Sequence, residues 1–376
     1  MKKLLALILS VSLVFAFCGC SNKATINVNQ NINDETEFKF EGSYTRDYEG
    51  TTIYVYNWGE YISDGSDDSI DVNKEFEKLT GIKVNYATFE SNETMYSQLK
   101  SGGVTYDIVI PSDYMIERLI KEKMLKKFDV TSLSNYHYIK DSYKNLYFDP
   151  ENSYSVPYNV GMVGVIYNKA LIGEPEKSWT ALWDEKYKDM SLMFSNPRDA
   201  FMIAQMILGQ DLNTTNLSDW DAAAELLKKQ KKNLQSYVMD EVYGKMETGE
   251  AAIAPYYAGD FLTMYDINED LAFFYPKEGT NIFVDSICIP SSSQNTEAAK
   301  LYINFLLEPE IALANAEYIG YASPNTSVIE NEDYYYYQNE ILYPEDDVVT
   351  NRQYYHNIDS NVRKYYENLW IDVKLY

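Results

Sequence analysis

Apolar positions along the chain fall into two alternating rhythms, after an opening segment that has neither. Leu4 to Phe17 is a nearly unbroken apolar run, interrupted by Ser10 and Ser12 and preceded by Met1-Lys2-Lys3. A cationic head on an apolar stretch shorter than the ~20 residues of a bilayer span is the pattern of a secretory signal that is removed from the mature chain. Ser21 to about Phe40 has no apolar period and is rich in Asn, Thr and acidic residues, which reads as a flexible tether. From Thr51 onward strand and helix patterns alternate. Ile53 to Tyr56 predicts a strand, and Val72, Phe76 and Leu79 predict a helix ended by Gly81. Ile82 to Thr88 predicts the next strand. Asn92 is placed to cap a helix through Met95 and Leu99 that stops at Gly102-Gly103. Tyr106 to Ile110 predicts a buried strand and Met115 to Lys123 a helix.

A second stretch of the same kind runs from Gly161 to Phe283. It predicts strands at Val163–Tyr167, Ala251–Ala254 and Leu271–Tyr275, and helices at Arg198–Leu208 and Asp219–Lys231. Ser218 with Asp221 resembles a capping box, with Asp for the usual Glu. A strand at Ile282–Ile289 and a helix at Glu297–Leu307 follow. Alternation with buried strands predicts a parallel α/β sheet covered on both faces. Without its leader the 376-residue chain still exceeds what one core usually holds, so two domains are expected.

Composition narrows the function classes. The formal net charge is −25, and losing Lys2 and Lys3 with the leader makes the mature chain more acidic still. Nucleic acid is disfavoured as a partner, because phosphates call for a basic surface. Two readings of the acidity stay open, a solvated surface and attraction of cationic ligands. Beyond Cys18 and Cys20 the one cysteine is Cys288, so no intrachain disulfide is expected. Its setting, Ser286 to Pro290, reads as a buried strand; a small core residue is one role, a reactive thiol the other. His137 and His356 are the only histidines, and HExxH, CxxC, Walker-type, G-x-S-x-G and G-x-G-x-x-G motifs are all missing. This weighs against an enzyme, and no metal or cofactor is expected. The 36 tyrosines offer flat apolar faces with polar tips, suited to a cleft that is both greasy and hydrogen-bonding. The run Tyr334 to Tyr337 reads as compositional bias.

Several segments carry a resemblance. Gly19-Cys20 after the apolar run resembles a bacterial lipobox, which implies a lipid on Cys20 as the first mature residue. Tyr56-Asn57-Trp58-Gly59-Glu60-Tyr61, Phe89 to Tyr96 and Tyr106 to Ser112 resemble the bacterial spermidine/putrescine-binding proteins of ABC transporters. So do Ser153 to Tyr158, Val284-Asp285-Ser286, Asn304 to Leu307 and Ile319 to Asn325, all in family order. The resemblance implies a type II periplasmic-binding fold: two α/β domains joined by crossing strands, with a ligand cleft between them that closes by a hinge motion. It implies a signal peptide at 1–19, a lipidated tether at 20–44, one domain from 45–160 plus 284–329, and another from 161–283 plus 330–376.

The implied ligand is putrescine or spermidine, a methylene chain bearing ammonium groups. Such a ligand needs carboxylates for its charges and aromatic walls for its methylenes. The resemblance assigns Asp285 to grip an amine and Asp199 as a second acidic ligand, where helix-terminal stabilisation is the alternative role. Asn196 stands where related proteins often carry another aspartate and remains a hydrogen-bond acceptor for an amine. Trp58 and Tyr61 follow the first strand at its carboxyl end and resemble the family's aromatic wall, with Glu60 in the same loop. Ser112 and Tyr114 follow the third strand at the equivalent edge, and Tyr321 matches a family tyrosine that lines the slot. Tyr257 and Phe283 stand where tryptophans occur in some members, which predicts a roomier slot, and Asp260 is placed to restore the charge lost at Asn196. The implied partners are the permease subunits of an importer and, through the lipid, the outer face of the cytoplasmic membrane; the implied state is a monomer. The alternatives are a sugar, opine or cationic vitamin bound by the same fold, a surface glycan hydrolase, and an adhesin without a small ligand.

Overall fold

The computed structural model describes residues 38–66 and 68–376; the leader, Cys20 and most of the polar segment lie outside them. Ten strands run in chain order: β1 (Thr52–Trp58), β2 (Lys83–Phe89), β3 (Ile108–Val109), β4 (Ser155–Asn168), β5 (Ser191–Phe194), β6 (Leu234–Val238), β7 (Ile253–Tyr257), β8 (Leu271–Phe274), β9 (Thr280–Cys288) and β10 (Arg352–Gln353). They are ordered β2-β1-β3-β9-β4-β7-β5-β6, with β8 also beside β4 and β10 beside β9.

The parallel sheet expected from the alternation holds at the two outer portions. β1 is parallel to β2 and β3, and β5 is parallel to β6 and β7. The middle differs: β9 is antiparallel to β3 and β4, and β4 is antiparallel to β7 and β8. The cause is visible in β4. Its first part, Ser155 to Met162, pairs with β9, and its second part, Val163 to Asn168, pairs with β7 and β8. One strand, buried along all 14 residues, therefore belongs to two lobes. The first lobe gathers β1–β3 with helices Val72–Thr80, Asn92–Ser101, Asp113–Lys121, Thr296–Leu306 and Pro309–Ile319. The second gathers β5–β8 with helices Pro197–Leu208, Leu217–Lys231 and Ala258–Ile267. The terminal helix Ser360–Leu375 returns to it, stacking Tyr366 on Trp220 at 4.5 Å.

Local differences from the sequence reading have plain causes. Ser91, not Asn92, caps its helix by accepting from the Thr94 N–H at 3.1 Å, which frees the buried Asn92 to bond Ser112. Asn216 caps Leu217–Lys231, so Ser218 lies inside that helix and forms no capping box. β2 is an edge strand of alternating exposure, not one covered on both faces. Residues 38–44, expected to belong to the tether, are part of the fold. Phe40 and Tyr44 pack on Phe305 at 5.4 and 6.1 Å. The buried Glu308 carboxylate accepts the backbone N–H groups of Glu41 and Gly42 at 2.8 and 2.7 Å, and also the Tyr44 hydroxyl. A carboxylate hidden this deeply is tolerable because both its oxygens accept hydrogen bonds. Cys288 is a free thiol, fully buried in β9. Among the described residues no helix is long and apolar enough to cross a membrane.

Candidate ligand-binding cleft

A cavity of about 960 Å³ lies between the lobes, at the carboxyl ends of β1, β3, β5 and β7. Open α/β sheets bind ligands at this edge, where loops and helix starts converge. Trp58, Glu60, Tyr61, Ser112, Tyr114, Asn196, Asp199, Tyr257, Asp260, Phe283, Asp285 and Tyr321 all line it. So do residues the sequence reading did not single out, chief among them Asp113, Glu93, Arg198, Asp240 and Tyr243, together with Tyr355 from the stretch 353–355 where the resemblance implies further contacts. Its lining holds ten carboxylates and one guanidinium. Among the described residues, none of these acids groups with others closely enough to hold a metal ion.

Asp285 sits on β9 with 3 % of its surface exposed. Tyr61 donates to its Oδ2 at 2.7 Å, and Ser112 makes a β-bridge to its backbone. Its Oδ1 is buried and has no partner. Burial pushes this carboxyl up to about 6, opposed by the neighbouring Ser112 and Tyr61 hydroxyls. Next to it Asp113 opens a helix, its carboxylate accepting from the N–H groups of Tyr114 and Val284 at 2.7 and 3.3 Å. Burial raises Asp113 well above the usual carboxylate range, and the Asp285 charge adds to the rise. Two buried acids side by side with one oxygen unpaired make a place that favours a cation.

Asp199 lies across the cavity on the first turn of helix Pro197–Leu208. Its Oδ2 accepts from Tyr257 at 2.6 Å and from Asn196 at 2.7 Å, and its Oδ1 accepts from Tyr355 at 2.9 Å. Asn196 is the helix cap: its Oδ1 accepts from the Asp199 N–H at 2.9 Å, so this amide serves the helix and Asp199 first. Arg198 is the one cation of the lining; its guanidinium stands 4.5 Å from the Tyr355 ring centre and donates to Asn213 at 2.9 Å. Tyr355 comes from an irregular C-terminal segment, where the resemblance implies site residues around Gln353 to Tyr355 without fixing which.

Rings cover the space between. Tyr257 meets Phe283 edge-on at 5.6 Å, Trp58 leans on Phe89 at 4.5 Å, and Tyr114 meets Tyr355 edge-on at 5.9 Å. Tyr114 donates to Glu93 at 3.0 Å, and burial raises the Glu93 carboxyl. Tyr321 donates to Asp260 at 3.1 Å. Burial lifts Asp260 to about 7 against hydrogen bonds from Tyr243 and Tyr321. Glu60 differs from the rest: it is exposed at the rim, in the left-handed region at φ 49°. Neither histidine lines the cavity.

Two lobes that share a crossing strand around an acidic, ring-walled cleft are the design of a two-lobed solute receptor. The comparison with known proteins gives the family: the chain belongs to the bacterial extracellular solute-binding proteins, whose family model matches residues 72–342. It is 35 % identical over 327 residues to a spermidine/putrescine-binding periplasmic protein of Salmonella typhimurium, covering 85 % of this chain and 92 % of the relative. The protein of the same name from Escherichia coli is 33 % identical over 326 residues, covering 85 % and 92 %. A solved structure described as a putative spermidine/putrescine ABC transporter from Listeria monocytogenes superposes with a TM-score of 0.82 at 36 % identity, covering 87 % of this chain and 99 % of that one. These neighbours have the type II periplasmic-binding fold, and the family acts outside the cytoplasm.

Proposed function

We propose that this protein captures putrescine or spermidine in the cleft and delivers it, unchanged, to the permease of an ABC importer. The observation that carries the reading is Asp285: a buried carboxylate with one oxygen met by Tyr61 and the other met by nothing in the protein. An ammonium supplies both the charge and the donor that this oxygen lacks, while the rings cover the methylenes between charges. The ten lining carboxylates against one guanidinium suit a polycation and oppose an anionic solute. The curated relatives named for the same ligands support the choice. The lobes act as two bodies, 45–160 plus 284–329 and 161–283 plus 330–376, that close over the ligand, and the receptor works as a monomer.

The test is calorimetric titration with putrescine, spermidine and spermine after unfolding and refolding to strip carried ligand. The expected result is a saturable one-to-one isotherm and a raised Tm, since a ligand bound only to the folded form stabilises it. No heat with any polyamine, alongside saturation by a sugar or an opine, would overturn the reading. The exported setting extends to a lipid anchor on Cys20, with residues 21–37 as the tether. Cys20→Ser should move the protein from the membrane to the soluble fraction with polyamine affinity unchanged; a protein that stays membrane-bound would remove the anchor from the account.

A further inference from the structure

Gly259 has an ordinary backbone for a helical residue. It lies second in helix Ala258–Ile267 and has no positive φ. Glycine weakens a helix relative to alanine, so its presence here calls for a reason other than chain geometry. The reason lies across the cleft. A Cβ on Gly259 would meet the Tyr321 ring at 2.2 Å from Cδ2 and 2.5 Å from Cε2. Tyr321 belongs to the first lobe, following helix Pro309–Ile319, whose end is closed by Gly320 at φ 73°. Gly259 belongs to the second lobe, directly after β7.

Around this contact the lobes meet closely. Tyr321 donates to Asp260, the residue after Gly259, at 3.1 Å. The contact also connects to the amine site on the far side of the ring. Tyr321 meets the Tyr61 ring edge-on at 5.3 Å, and Tyr61 donates to Asp285 at 2.7 Å. A continuous line thus runs from the unpaired Asp285 carboxylate through Tyr61 and Tyr321 to the backbone of Gly259. The one other glycine that seats a cleft ring, Gly161, does so between paired strands, where a Cβ would meet Phe283 at 2.2 Å. That contact forms wherever β4 and β9 pair. The Gly259 contact instead joins residues of different lobes.

We infer that Gly259 is a positioning residue for closure: its bare backbone is the seat on which the Tyr321 ring lands, and this seat sets how far the lobes shut over a bound ligand. The inference uses the polyamine reading only for its probe. Adding a methyl group at a packed contact forces the lobes apart at that point, and the cost falls on the closed state alone.

The test uses Gly259→Ala, Tyr321→Ala and the double variant. Two quantities are read: the spermidine dissociation rate by stopped-flow fluorescence, and the radius of gyration by X-ray scattering with and without spermidine. Gly259→Ala should raise the dissociation rate about ten-fold, leave the association rate within about two-fold, and leave the saturated protein less compact than wild type. Far-UV circular dichroism of the ligand-free variant should match wild type, since alanine suits the helix. In the Tyr321→Ala background, adding Gly259→Ala should change neither quantity, because the ring that the methyl group strikes is gone. An unchanged dissociation rate and compaction in Gly259→Ala, or the same increment with and without Tyr321, would overturn the seat. Failure of wild type to bind spermidine would sink the polyamine reading alone. The seat would then be judged with the sugar or opine that saturates the wild type, where equal compaction of wild type and Gly259→Ala on saturation would overturn it.

Discussion

The two walls of the cleft carry aspartates of opposite character. On the wall built by β9 and the first lobe, Asp285 has one donor and one empty oxygen, and burial holds its carboxyl up near 6. On the second-lobe wall, Asp199 is met on both oxygens by Tyr257, Asn196 and Tyr355. The protein has finished one site and left the other incomplete. A carboxylate with all its donors in place is held at a fixed angle and stabilises the fold without ligand. A carboxylate short of a donor in a dry pocket stores unfavourable energy that a cation relieves. The same residue type therefore does two jobs, and the partners decide which.

That difference makes crossed predictions, the largest on the Asp285 side. Asp285→Asn removes the charge that meets the ammonium and keeps the shape. Breaking a buried ion pair costs about 3–5 kcal/mol, so polyamine affinity should fall by about two to four orders of magnitude in a calorimetric titration. The same substitution should raise the Tm of the ligand-free protein at pH 8, because it replaces a buried ionised group by a neutral amide. Wild-type affinity in this variant would remove Asp285 from the site. A lowered ligand-free Tm would show that its carboxylate is not strained.

Much of this cleft is legible in the sequence, for a local reason. Trp58 and Ser112 sit at or follow the end of a strand, and alternation of strands with helices sends such positions to one edge of the sheet, while Asp199, Tyr257 and Asp285 come from the resemblance. The residues missed or left unfixed lack that local sign. Tyr355 reaches Asp199 from 156 positions away through a segment with no regular period. Asp113 was in view beside Ser112, and only burial shows that it is an acid facing Asp285 and not a plain first-turn residue. The terminal helix does carry a local pattern, with Val362, Tyr366, Trp370 and Val373 buried at helical spacing. The antiparallel centre was hidden for another reason: no local rhythm says that β4 changes partners midway.

The pH dependence should follow the unfinished site. Asp285, facing Tyr61, Ser112 and Asp113, ionises in the empty protein only above about pH 6. A cation binds the ionised form, so capture expels a proton below that value. Affinity should rise about ten-fold from pH 5 to pH 7 from this group alone. Ligand-free stability runs the other way. The folded carboxyl holds its proton more tightly than the unfolded one, so this contribution is full below about pH 4 and is lost as pH rises through about 6. Titration in two buffers of different ionisation enthalpy measures the protons released. A pH-independent affinity, with no proton release near pH 5.5, would mean that Asp285 is already ionised when empty and that the contrast between the walls is false.

Asp199→Asn gives the smallest effect on binding and the sharpest check. An amide keeps one acceptor for Tyr257 or Tyr355 and turns its nitrogen toward the other hydroxyl, so one charge-assisted bond is lost and the ring positions loosen. Losing a bond of that kind costs about 1.5–3 kcal/mol, and about 2–4 °C of Tm per kcal/mol suits a domain of this size. Ligand-free Tm should therefore fall by several degrees, where Asp285→Asn raises it. Polyamine affinity should fall only about five- to ten-fold, because the ligand loses a distant or shared charge and not its sole partner. If Asp199→Asn leaves stability untouched and abolishes binding, the three donors on this carboxylate hold it for the ligand alone, and both aspartates belong to one kind of site. If stability falls and binding persists, the second wall is the frame on which the first wall's vacancy is presented.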